Sequence, residues 1–66
     1  MYPNVRAEMA RKNVTLTMLS EALNKSVATV SGKIKGNYPF TIEEAKIVKA
    51  VIGVDMTLDE LFKTEG

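Results

Sequence analysis

Two short apolar stripes separated by only three residues constrain this chain more than any other feature. Leu16, Leu19 and Leu23 recur at i, i+3, i+7, and so do Val27, Val30 and Ile34; between them stand Asn24, Lys25 and Ser26. Each stripe has the period of one helix face. Asn tolerates the left-handed conformation that stops a helix and Ser is a strong N-cap, so the linker reads as a stop, one residue, and a new start. So tight a connection does not let two helices fold back along each other. It favours a crossing of roughly 90–120°.

The rest of the chain is punctuated in the same way. Asn4 is a candidate cap for a first helix to about Lys12, with Val5 and Met9 facing inward and Asn13 as its stop. Thr15 or Thr17 can cap the second helix. Gly36-Asn37-Tyr38-Pro39 is a loop of helix breakers. Thr41-Ile42-Glu43-Glu44 and Thr57-Leu58-Asp59-Glu60 are capping boxes, the second flanked by Met56 and Leu61 at the spacing of a hydrophobic staple. After the first box, Ile42, Ala45, Val48 and Ile52 form a stripe that Gly53 ends. The last helix is expected to reach about Lys63, with residues 64–66 fraying. No segment alternates as a strand does, so the expected fold is all-α: one domain over 1–66, a compact bundle of about five short helices.

Composition removes several classes of function. The 66 residues contain no cysteine and no histidine, so there is no disulfide framework, no thiolate metal site and no imidazole base. No metal, cofactor or small-molecule substrate is expected, and no enzymatic activity. Glu43 and Glu44 do not form a catalytic carboxylate pair, because adjacent helical positions do not face each other. No apolar run approaches the roughly 20 residues that cross a bilayer. The N-terminus has no signal-peptide core, so a cytoplasmic protein is the expectation.

The formal net charge of +1 hides an asymmetry. Residues 1–38 carry six bases and two acids, whereas residues 39–66 carry three bases and six acids. A basic half suits a polyanionic partner. The third helix has one face on the core, through Val30 and Ile34. Its other face presents Ala28, Thr29, Ser31 and Gly32, which are small and uncharged, with Lys25, Lys33 and Lys35 beside them. Such a helix fits a major groove about 12 Å wide without obstruction. Gly32 costs about 1 kcal/mol relative to Ala inside a helix. Either the duplex comes close there, or nothing larger was needed.

The run TLTMLSEALNKSVATVSGKIKG, Thr15 to Gly36, resembles the helix-turn-helix of the Cro and phage-repressor class. Shared features are the Thr opening, Leu19-Ser20-Glu21, Leu23, the Ser26 cap, Thr29-Val30-Ser31 and the Gly36 stop. Glu8 to Lys12 and Pro39 to Ala45 resemble the first and fourth helices of Gram-positive phage-type members. Gly53-Val54-Asp55 and Leu58 to Phe62 resemble their usual close. The likeness covers about residues 4–63.

It implies a lambda-repressor-like fold and a transcriptional regulator, a phage or prophage repressor, that binds a double-stranded DNA operator, commonly as a homodimer. Val27, Ala28 and Gly32 stand at its base-reading positions, Lys35 at a phosphate contact and Leu16 at the duplex-facing start of the second helix. None of Val27, Ala28, Gly32 or Leu16 can make a bidentate bond to a base edge. Val27 and Ala28 suit thymine methyl groups, and Thr29 and Ser31 supply hydroxyls. Val27 also suits the core edge. Further candidate phosphate contacts are Arg11, Lys12, Thr17, Lys25, Ser26, Lys33 and Asn37. Tyr38 can reach a phosphate or cover the core beside Phe40. Candidate dimer contacts are Ile47, Val51, Val54, Leu58 and Phe62. The alternative is a small antirepressor or adaptor that binds protein and no DNA, for which Ile47 and Val51 form an apolar pair off the main stripe.

Overall fold

Five helices follow one another: α1 (Pro3–Lys12), α2 (Leu16–Leu23), α3 (Val27–Lys35), α4 (Ile42–Ile52) and α5 (Leu58–Leu61). The computed structural model describes residues 2–64, and among these there is no strand. Glu65 and Gly66, part of the tail expected to fray, lie outside the described residues.

The four stops fall where the sequence puts them. Asn13 and Asn24 take left-handed conformations at φ 57° and 56°, as do Gly36 and Gly53 at φ 91° and 74°. Asn accepts this region because its short polar side chain bonds locally. The starts are equally local. Thr15, Ser26, Thr41 and Thr57 each accept a bond from the backbone N–H three residues on. Both capping boxes close: Glu44 Oε1 accepts from Thr41 N at 3.0 Å and Glu60 Oε1 from Thr57 N at 3.4 Å.

Three local expectations are corrected. Asn4 is not the cap of α1, which begins one residue earlier at Pro3 and has no side-chain cap. Proline suits the first helical turn because its missing N–H would be unpaired there. The Asn4 amide instead donates to the Glu60 carbonyl at 2.7 Å, tying α1 to α5. Ile42 and Val27 leave the core stripes, 68% and 42% exposed. Each is the first residue after its cap, where the neighbouring helix has not yet come into contact. Helix α5 stops at Leu61 rather than Lys63, and Phe62 turns onto an aromatic cluster instead of extending the helix.

The core is one cluster of Val5, Val14, Leu19, Leu23, Val30, Ile34, Val48, Ile52 and Leu61. It joins α1, α2, α3, α4 and α5. Helix α2 packs on both α3 and α4, while α1 and α5 close on α4 and on each other; among the described residues, the broad contact of α3 is with α2. Tyr2, Phe40 and Phe62 meet edge to face, with centroids 5.1–5.5 Å apart. Each such pair contributes about 0.5–1.5 kcal/mol beyond its area. This triad holds the N-terminus, the loop before α4 and the chain after α5 together. A radius of gyration of 10.5 Å matches the roughly 11 Å of a folded chain this long.

Candidate nucleic-acid interface

Helix α3 is held by Val30 and Ile34 on one side, and the Asn24-Lys25-Ser26 turn leaves its other side uncovered by any helix. Lys25, Ser26, Val27, Ala28, Lys35, Asn37 and Tyr38 are all exposed; Thr29 and Ser31 are half-buried. The Ser26 hydroxyl accepts from Thr29 N at 3.2 Å and donates to Thr29 Oγ1 at 2.9 Å. The two hydroxyls are thus bonded to each other at the start of α3. Thr17 is exposed near the start of α2, but Thr15 is the cap there.

Two hollows flank α3. One, about 440 Å³, is lined by Lys25, Ala28, Thr29, Lys33 and Tyr38. The other, about 260 Å³, is lined by Arg6, Met9, Leu16, Ser31, Ile34 and Lys35. Among the described residues no acid lines either. Three hollows elsewhere each contain at least one: Asp55, Asp59, and Glu8 with Asp55. Four of the six bases of residues 1–38, Arg6, Lys25, Lys33 and Lys35, thus line the two flanks of one helix.

Four expected site residues are placed differently. Gly32 is buried and does not face out openly, because the Tyr38 ring lies over it. An added Cβ would come 2.7 Å from Tyr38 Cε2 and 2.8 Å from Cδ2. Tyr38 therefore does not cover the core beside Phe40; it is 56% exposed on the outer side of α3. Lys33 is not a free cation. Its ammonium lies 3.0 Å from Glu44 Oε1 and donates to the Pro39 carbonyl at 3.0 Å, with both side chains of the pair only 11% exposed. Phe62, a candidate dimer contact, spends its ring on the monomer's aromatic triad.

Glu44 reaches Lys33 because the capping box already aims its carboxylate back along α4. The Thr41 N–H and then Lys33 hold its pKa below the ordinary range, against burial, which pushes the other way. Arg11 pairs with Glu8 at 2.7 Å, yet its side chain stays 69% exposed beside exposed Lys12. Of the other dimer candidates, Ile47 is exposed at 37%. Val51 and Val54 pack half-buried on the core, and Leu58 is half-buried.

Sequence reasoning missed Arg6. It lines the second hollow with Lys35 and Ser31, from a helix whose contribution to this face the charge count did not reveal. Its signal was present, three residues before Met9 on the same face of α1.

The fold is that of a small all-α bundle in which α2, α3, α4 and α5 each start from a Thr or Ser side-chain cap. Neither protein-family models, nor curated proteins, nor solved structures match this chain.

Proposed function

We propose that this protein is a sequence-specific double-stranded DNA-binding regulator that lays α3 in the major groove. The observation that carries the reading is the acid-free pair of hollows on the two flanks of α3, edged by Lys25 on one side and Arg6 and Lys35 on the other. A helix with Ala28, Thr29 and Ser31 on its outer surface fits between the walls of the groove, and the flanking cations lie towards its two phosphate backbones.

Val27 and Ala28 supply apolar contacts to thymine methyl groups, Thr29 and Ser31 adaptable hydroxyls. Lys25, Lys35, Arg6, Lys12, Ser26, Thr17 and Asn37 supply backbone contacts. The role is that of a repressor of the phage or prophage type, since a domain seated over a promoter occludes polymerase without further machinery. A single recognition helix reads few bases, so two copies bind together, with half-sites about 34 Å apart; Ile47, on the outer side of α4, is the most exposed contact available for pairing.

Selection from a random duplex pool at low salt, followed by salt titration of the selected site, tests the reading. Log affinity should fall linearly with log salt, and Lys25→Ala and Lys35→Ala should each make the slope shallower by about one unit. A protein that binds no duplex at low salt refutes it.

A further inference from the structure

At Gly32 the outer side of α3 is covered by Tyr38. At 100° per residue, Gly32 stands roughly opposite the direction shared by Val30 and Ile34, the two residues that anchor α3 in the core. A residue so placed should be open to solvent, yet Gly32 is buried. The cover comes from the loop: the Cδ2–Cε2 edge of Tyr38 occupies the space a Cβ would need. The ring itself remains 56% exposed and forms a wall of the hollow with Lys25, Ala28 and Thr29.

Stability does not account for this arrangement. Alanine at position 32 would favour the helix by about 1 kcal/mol, and a ring more than half in water recovers little by covering a glycine. What glycine does is let the edge of an aromatic ring close against the part of α3 that faces away from the core. The side chains of α3 around it are short. Tyr38 thus sets an aromatic ring beside Ala28 and Thr29 in a hollow edged by Lys25 and Lys33.

We propose that Tyr38 is a base-reading residue supplied by the loop, its ring packing against a thymine C5-methyl group in the major groove where α3 has no long side chain of its own. The inference rests on the DNA-binding reading and assigns Tyr38 to sequence recognition rather than to a phosphate. The ring approaches a methyl group edge-on or face-on without needing a hydrogen bond, so the contact discriminates thymine from cytosine and from uracil by the methyl alone. Lys25, on the same hollow, lies beside it towards the backbone.

The test takes the selected duplex and replaces each thymine in turn by deoxyuridine, which removes only the methyl group. Wild-type protein should lose about fourfold in affinity, the worth of one buried carbon, at one thymine in each half-site besides any read by Val27 and Ala28. Tyr38→Ala should bind the parent duplex more weakly and show no further loss at that thymine. Tyr38→Phe should keep the methyl dependence, because the ring remains. Gly32→Ala should abolish it while leaving the protein folded, because the added Cβ displaces the ring. A uniform loss on all duplexes with Tyr38→Ala would make Tyr38 a backbone contact and overturn the proposal, and so would unchanged affinity throughout. Failure of the wild-type protein to bind any duplex refutes the DNA-binding reading itself. Wild-type binding with a normal salt slope but no Tyr38-dependent thymine refutes this inference alone.

Discussion

The face built on α3 and the face built on α4 and α5 use the same residue types to opposite ends. On α4 and α5, two glutamates serve the fold: Glu44 and Glu60 close capping boxes, and Glu44 also holds Lys33. Around α3, Lys25 and Lys35 stand exposed, and the side chains between them are small. Lys33 is the instructive case, since it belongs to α3 by sequence and to the α4 side by structure. A basic residue on α3 is therefore not by itself free for a ligand; what decides is whether an acid within the fold has already taken it.

The largest effect should come from the core that both faces share. Leu19 is fully buried, so Leu19→Ala should lower stability by roughly 2–5 kcal/mol in urea or thermal unfolding. That is a large part of the roughly 3–10 kcal/mol expected of a domain this size. Ala28→Gln, on the open face, should stay within about 0.5 kcal/mol of wild type. Equal losses from the two would erase the distinction between core and open face.

Next comes the contrast among the lysines. Lys33→Ala should lower stability by roughly 1.5–3 kcal/mol, the range for a hydrogen bond to a charged group. Lys25→Ala and Lys35→Ala should leave stability nearly unchanged while they weaken DNA binding. If all three behave alike in unfolding experiments, the Lys33–Glu44 pair has no special standing.

The smallest effect is in pH. Because the folded protein holds the Glu44 pKa below its ordinary value of 4.5, the carboxylate's contribution is fully present above that value. It is lost as pH falls through the lowered value. Stability measured between neutral pH and strongly acid conditions should therefore decline less steeply for Glu44→Gln than for wild type. Parallel curves would show that other carboxylates carry the acid sensitivity.

The positions of the helices were legible because they are settled within a few residues of chain. Asn13, Asn24, Gly36 and Gly53 stop helices through their own backbone preferences, and Thr41 with Glu44 or Thr57 with Glu60 starts them through bonds three residues long. The stripe of Leu19 and Leu23 likewise needs only the 3.6-residue period to find the core. The sequence was less informative at the first residue of a helix. There Val27 and Ile42 fit the stripe by period and still stand in solvent, and Asn4, though a good cap, bonds across the molecule.

What the chain determines by itself is thus its helical plan, its caps and the small, basic character of one helix. Tertiary structure alone decided which charges are free, which glycine is covered and which aromatic residues meet. Lys33 and Glu44 are eleven residues apart, and Asn4 and Glu60 fifty-six. Tyr2, Phe40 and Phe62 come from three separate stretches between or beyond the helices. Local propensity acts over one helical turn, whereas these contacts depend on how whole helices and loops are brought together, and no period in the sequence encodes that distance.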